Sequence, residues 1–397
     1  MATRTASFID FRFLTLCLMS ILTGMEMDIF TPSFPEIMDV FSVNIEQVQL
    51  TLSLNFIAYA LSTLWIGPLA ERFNHKSISI LSLCIFTTGS ILCYETNSFG
   101  LLLVGRVLQG LGMSGPNVLA YSIVYDFYPK SREHYMAILT GLSSVTMGVA
   151  PVLGSYLNLW FGWRANFLSL LILSLLCLVL GMLYLPSKKI INQTKPKLTL
   201  NTYLPLFKSP VFQKSATLGL SISVSYFIFV GFAPILYRED LHVSLESFGM
   251  YQGALSSAFG IMCFCSNMLY KWFGKKRCFK VSINFYAFFG LLAAFYGFFP
   301  ATNPLVLTII LVGSSIASAI PINISYPISL GAIPNASARA SGLLAALRLV
   351  FCAIGLQVMA CFYNHSFLPL AIMIGLEGLL AWCLGKRIYN HAFLQKI

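Results

Sequence analysis

The sequence predicts an all-α membrane protein: twelve transmembrane helices in two pseudo-symmetric six-helix bundles, with both termini cytoplasmic. Three observations carry this. The first is composition: 57% of residues are hydrophobic, 10% are charged, and the mean hydropathy is +0.78. A soluble domain carries about 25% charged residues; a globular core cannot hide that deficit, because a soluble surface needs charge, so the solvent for most of this chain is lipid. The 33 phenylalanines suit lipid-facing helices and interfacial belts. The second observation is a succession of long apolar runs. The third is an echo between two basic loops, Glu71-Arg72-Phe73-Asn74-His75-Lys76 and Lys271-Trp272-Phe273-Gly274-Lys275-Lys276, about half a chain apart. Self-similarity of that length points to a duplicated bundle, the usual build of secondary transporters.

A spanning helix needs about 20 mainly apolar residues. Twelve segments meet that rule: 13–33, 48–70, 77–94, 99–125, 136–160, 165–185, 214–237, 248–271, 278–299, 304–330, 338–363 and 367–387. The longest polar gap runs from Pro186-Ser187-Lys188-Lys189 to Lys208-Ser209-Pro210, after the sixth segment. The expected organisation is therefore an N-terminal bundle over 1–186, a cytoplasmic linker over 187–213 and a C-terminal bundle over 214–397. No cleavage site follows the first apolar run, so it reads as a retained helix and not as a signal peptide.

The basic residues set the orientation. With the N-terminus inside, the cytoplasmic regions hold all fourteen lysines together with Arg4, Arg12, Arg72, Arg132, Arg277, Arg339 and Arg387, and the outer loops hold only Arg164 and Arg238. That is the positive-inside pattern. It also accounts for the net charge of +11 without nucleic acid as a partner.

Enzymatic chemistry finds no support. The ten cysteines lie in or beside apolar runs with no zinc-type spacing to histidines. Gly110-Leu111-Gly112-Met113-Ser114-Gly115 matches a dinucleotide-binding pattern, but no strand precedes it and it falls inside an apolar segment, where small residues serve close helix packing. No cofactor and no metal site is expected.

Charged residues inside apolar segments are costly, and they mark function by default. Arg106 lies mid-segment and must face a cavity or a partner; it reads either as a structural ion pair or as a cavity cation that communicates with a protonatable carboxylate. Glu26 and Asp28 are the candidate carboxylates. On a continuous helix they point about 200° apart, so they share one cavity only if the helix breaks; Asp28 is the favoured proton-coupling residue, with Glu26 the runner-up. Burial in a low-dielectric cavity favours the protonated form of a carboxylic acid, which allows exchange near neutral pH; the competing role is capping near the outer face. Arg348 and Glu377, in the last two segments, either pair with each other or leave Arg348 to attract an anionic substrate. Asn55, Tyr59, Gln109, Asn117, Tyr121, Tyr226, Asn323 and Tyr326 are polar groups that either line a water-filled path or bond between helices. Pro151 and Gly154, in Met147-Gly148-Val149-Ala150-Pro151-Val152-Leu153-Gly154, read as a kinkable, tightly packed stretch.

Together these residues resemble the major facilitator superfamily, and most closely its Bcr/CflA-type drug:proton antiporter branch. The matching stretches are Asp28-Ile29-Phe30-Thr31-Pro32-Ser33-Phe34-Pro35-Glu36-Ile37, Val48 to Leu54, Gly67-Pro68-Leu69-Ala70-Glu71-Arg72-Phe73, Arg106-Val107-Leu108-Gln109-Gly110, Ala150-Pro151-Val152-Leu153-Gly154 and Gly162-Trp163-Arg164. The resemblance implies two halves that rock around a central cavity lined by the first, fourth, seventh and tenth helices. It implies that Glu71 meets the N-terminal end of the eleventh helix, whose dipole favours negative charge, and that Arg72 pairs with Asp126, both contacts holding the outward-open state. The chain departs from the branch at Glu71, at Asn74-His75, at Ala150 and at Arg348.

The function expected is proton-coupled secondary transport across a bacterial inner membrane by a monomer, exporting small amphipathic compounds. Two alternatives stand beside it: a transporter of an anionic metabolite or carboxylate siderophore held by Arg106 and Arg348, and a non-transporting membrane sensor.

Overall fold

The computed structural model describes residues 10–129, 131–187, 203–299, 303–333 and 337–389. Among these there is no strand. The helices are α1 (Phe11–Met25), α2 (Phe34–Phe41), α3 (Ile45–Phe73), α4 (His75–Glu95), α5 (Phe99–Ser114), α6 (Ala120–Phe127), α7 (Arg132–Phe161), α8 (Arg164–Tyr184), α9 (Leu204–Lys208), α10 (Pro210–Ile235), α11 (Leu245–Phe273), α12 (Lys275–Tyr296), α13 (Pro304–Leu330), α14 (Ser337–Phe362) and α15 (Leu368–Tyr389). Ten spans among the described residues are long and apolar enough to cross a membrane. The remaining two of the twelve expected segments are broken rather than absent. The first stops as α1 after 15 residues and continues as an irregular stretch into a 3₁₀ turn at Thr31–Ser33. The fourth is split into α5 and α6 by a wide π turn at Gly115–Leu119. Pro116 lies in that turn; it has no N–H to donate and its ring crowds the preceding turn, so the regular ladder cannot pass through it.

The internal contacts repeat. In the first half α4 packs on α5 and α8, α3 on α5, and α1 on α7 and α8; in the second half α12 packs on α13 and α15, α11 on α13, and α10 on α14 and α15. Pairing α1 with α10, α3 with α11, α4 with α12, α5 with α13, α7 with α14 and α8 with α15 maps the first set onto the second. The two large contacts between the halves, α3 on α14 and α7 on α11, exchange under the same pairing, as a pseudo-two-fold relation requires. The short α9 lies in the stretch expected to link the halves, and α10 begins at Pro210, inside that stretch; residues 188–202 of it lie outside those described.

The distribution of polarity suits lipid. Phe264 is 88% exposed and Phe362 70% exposed, whereas Glu26, Arg106 and Gln109 are fully buried. A bilayer allows no orphan backbone groups, so helix ends at its surface are capped. At the start of α3, Asn44 Oδ1 accepts from the Gln47 amide at 2.9 Å while Gln47 Oε1 accepts from the Asn44 amide at 3.0 Å. Asn44→Ala removes half of this reciprocal cap. It is expected to lower stability by about 1 kcal/mol, seen as a modest fall in the thermal midpoint of the detergent-solubilised protein; an unchanged midpoint would contradict it.

Candidate functional site

A cavity of about 430 Å³ lies between the halves. It is sealed at one end. There Gln49 Nε2 donates to the Gly231 carbonyl at 2.7 Å and Gln357 Nε2 donates to Ser53 Oγ at 3.0 Å, both across the halves, and Ser155 of α7 lies against Gly249 of α11. At the other end, which carries the α3–α4 and α11–α12 loops, the space beside Gly141 and Gly342 is empty to 4 Å. Tyr125 and Tyr326 are exposed there. Among the described residues, the cavity thus has no seal at the end with the basic loops comparable to the one at the other end.

Asp28 reaches the cavity from the irregular stretch that follows α1. Glu26 and Asp28 point to opposite sides, as about 200° of separation along a helical path requires, so the break does not bring them into one cavity. After Met25 the Ile29 amide still donates to the Met25 carbonyl at 3.0 Å, the Asp28 amide donates to the same carbonyl at 3.3 Å, and Thr31 Oγ1 donates to the Asp28 carbonyl at 3.0 Å. Pro32 then prevents a regular ladder from resuming at once. The unwound backbone needs a flat neighbour, and Gly154 of α7 supplies it: a Cβ there would overlap the Ile29 carbonyl oxygen. Asp28 is 1% exposed, lines the cavity, and neither carboxylate oxygen has a hydrogen-bond partner. An unpartnered buried acid is costly unless it holds a proton or a ligand.

Glu26 turns the opposite way, into a sealed network behind the cavity wall. Arg106 Nη1 lies 2.9 Å from Glu26 Oε1, both side chains being fully buried. Arg106 Nη1 also donates to Gln109 Oε1 at 2.6 Å, and Arg106 Nε to the Thr51 carbonyl at 3.2 Å. Asn55 Nδ2 donates to Glu26 Oε1 at 2.8 Å and to the Arg106 carbonyl at 3.0 Å, and Gln109 Nε2 donates to Ser90 Oγ at 2.9 Å. The guanidinium lies 4.1 Å from the centre of the Phe30 ring, a cation–π contact. Local geometry explains the convergence. Arg106 and Gln109, three apart on α5, share a face, as do Thr51 and Asn55 on α3, and at Gly110 α5 comes so close to α3 that a Cβ would overlap the Asn55 carbonyl oxygen.

The structure therefore divides the expected residues. Asp28, Tyr59, Asn117, Tyr226, Asn323 and Arg348 line the cavity, whereas Glu26, Arg106, Asn55 and Gln109 do not. The expectation of Arg106 as a cavity cation, and of Asn55 and Gln109 as substrate contacts, gives way to an internal ion-pair network, because the guanidinium pairs with Glu26 behind the cavity wall. Arg106 and Arg348 consequently form no shared anion clamp. Arg348 and Glu377 do not pair either: Glu377 accepts from the Tyr286 hydroxyl, and the Arg348 guanidinium lies 5.7 Å from the Phe227 ring centre.

Several lining residues are already bonded. Asn117 bonds to the Tyr59 hydroxyl, Tyr226 to Ser256 at 2.8 Å, and Asn323 Nδ2 donates to Ser266 Oγ at 3.2 Å. Tyr121 bonds Thr140 at 3.2 Å and Tyr326 bonds Ser341 at 2.9 Å, both near the open end. Sequence reasoning missed the serines of α10 and α13 that line the cavity, Ser223, Ser225, Ser314, Ser315 and Ser318. Their clustering in otherwise apolar runs was the available signal.

Of the expected gating residues, Pro151 and Gly154 lie where α7 meets both the unwound stretch and α11. Arg72 is exposed, with its guanidinium 5.1 Å from the Phe73 ring centre. Asp126 is half-buried near the end of α6. The Glu71 side chain and residues 334–336 before α14 lie outside those described, so the expected contact between them does too.

The sequence model of the Major Facilitator Superfamily matches residues 16–356. The chain is similar to the "Bicyclomycin resistance protein homolog" of Haemophilus influenzae, 28% identical over 247 residues covering 60% of this chain and 61% of that protein. It is 27% identical over 226 residues to the "Multidrug resistance protein MdtL" of Salmonella schwarzengrund, covering 55% of each. These matches thus span about six-tenths or less of the relatives' length. Among solved structures, the D-xylose-proton symporter superposes with a TM-score of 0.73 at 14% identity, over 95% of this chain and 98% of that one. A bacterial homologue of the human lysosomal transporter Spinster, in an inward-facing and occupied conformation, gives 0.74 at 18% identity, over 96% and 97%. At such identities the structural likeness bears on the fold alone.

Proposed function

Because this chain belongs to the major facilitator superfamily, we propose that it is a proton-coupled secondary transporter that exports small amphipathic compounds. On this reading it acts as a monomer in a bacterial inner membrane, by alternating access of a half over 1–186 and a half over 214–397 joined by 187–213. The observation that carries the reading is Asp28, a buried acid with no hydrogen-bond partner inside a cavity shared by both halves. Such a group exchanges its proton for a cationic or polar ligand without disturbing the ion pair beside it. The names of the relatives, which concern resistance to bicyclomycin and to multiple drugs, support the efflux direction.

The orientation read from the basic residues makes the open end cytoplasmic, so this is the inward-facing state. Glu26 and Arg106 then serve as a fixed brace for the unwound segment, and Asp28 alone carries the exchangeable proton. Protonation of Asp28 from outside shifts the balance between the two states by removing a buried charge. Pro151 and Gly154 supply the hinge side of α7, and the loop with Glu71 and Arg72, with Asp126 as the expected partner of Arg72, closes the cytoplasmic end in the opposite state.

Asp28→Asn is expected to abolish extrusion of ethidium driven by a pH gradient in everted membrane vesicles, while the amount of folded protein in the membrane stays at the wild-type level. Extrusion at wild-type rates by this variant would sink the assignment.

A further inference from the structure

The cavity contains a second charged group that the proton cycle does not use. Arg348 of α14 lines the same space as Asp28. Its Nε is buried and has no hydrogen-bond partner, and its guanidinium lies 5.7 Å from the centre of the Phe227 ring, which also faces the cavity. Asp28 does not answer it, for neither oxygen of that carboxyl group accepts a hydrogen bond. An arginine side chain does not deprotonate in a protein, so this cation is permanent, and a carboxylate is the acceptor that both fits its planar fork and answers its charge. Leaving two groups of opposite charge apart in one cavity between the halves, with no ion pair between them, is costly. The cost is recovered when one ligand meets both groups.

We propose that the cavity recognises an amphoteric aromatic molecule, whose carboxylate is held by Arg348 and whose ammonium is held by Asp28. The rings of Tyr226, Phe227 and Phe259 offer faces for the apolar body between the two ends. Planar guanidinium suits a carboxylate through paired N–H donors. The cavity volume of about 430 Å³ falls within the range for drug-sized ligands, roughly 300–1,000 Å³. The proposal rests on the reading of this cavity as the transport site, and within amphipathic compounds in general it assigns a preference for those with both charges.

The test is equilibrium binding to the full-length purified protein in lipid nanodiscs with three matched probes. Norfloxacin carries both charges, its methyl ester only the cation, and nalidixate only the carboxylate. The wild type is expected to prefer norfloxacin over each of the others by at least about tenfold, the scale of one charge-assisted contact. Arg348→Gln should close the gap between norfloxacin and its ester, and Asp28→Asn the gap between norfloxacin and nalidixate. Arg348→Lys, which keeps the charge, should retain part of the first gap. A wild type that binds the ester as tightly as norfloxacin, fails to bind norfloxacin, or loses all three probes equally in Arg348→Gln overturns the proposal. Proton-coupled extrusion of ethidium is measured without these probes, so failure of amphoteric recognition is distinguishable from failure of the transport assignment.

Discussion

Replacing Arg106 by methionine is expected to destabilise the folded protein by about 3–5 kcal/mol, the cost of leaving one partner of a buried ion pair uncompensated. The expectation follows from the completeness of burial: both side chains are fully inaccessible, so bulk water does not reach an orphaned Glu26. The same change strips Gln109 of one donor and Thr51 of another. The decisive comparison is the double variant Glu26→Gln/Arg106→Met. With neither charge left, it should recover most of the loss, because the penalty lies in the unpaired charge and not in the missing attraction. Thermal midpoints of all three proteins in one detergent measure this directly. An Arg106→Met protein as stable as the wild type would mean that Glu26 is protonated or solvated, against the sealed network described above.

Gly154→Val is expected to be the most damaging single change outside that network. The introduced Cβ meets the Ile29 carbonyl oxygen, and a backbone carbonyl cannot rotate away as a side chain does. The helix α7 and the unwound stretch must separate. Overpacking of a tight interior costs about 1–3 kcal/mol in ordinary sites, and here it also displaces the stretch that carries Asp28. We expect a loss of most ethidium extrusion even where folded protein is recovered from the membrane. Gly141→Ala on the same helix is the control. Nothing lies within 4 Å of that position, so this change should be neutral, or stabilising by up to about 1 kcal/mol through helix propensity. Equal damage from both changes would point to helix α7 as a whole rather than to the contact with Ile29.

Much of the fold was legible in the chain. Apolar runs of spanning length are a local property, counted along the sequence without knowledge of neighbours, and the segment predicted over 304–330 coincides with α13 (Pro304–Leu330). The breaks were less legible. Pro32 and Pro116 stand beside the breaks in the first and fourth segments, but a proline can kink a helix or end it, and only packing decides which. The candidate site was legible as a set of residue types and not as an arrangement. Glu26, Asp28, Arg106 and Arg348 were all visible as charges in apolar runs. Periodicity sets Glu26 and Asp28 on opposite sides, but which side meets Arg106 and which meets the cavity depends on how the first segment is rotated against α3 and α5, and only packing decides that.

The division has one physical cause. By itself the sequence determined lipid as the solvent, the succession of apolar segments, the duplication and the superfamily, because each depends on composition, hydropathy or motif read along the chain. The tertiary structure decided that Glu26 is spent on Arg106, that Asp28 and Arg348 are left facing one cavity, and that Asn55 and Gln109 belong to the brace. Those outcomes depend on the close approach of Gly154 to Ile29 and of Gly110 to Asn55, contacts between residues far apart in the chain that no local pattern encodes.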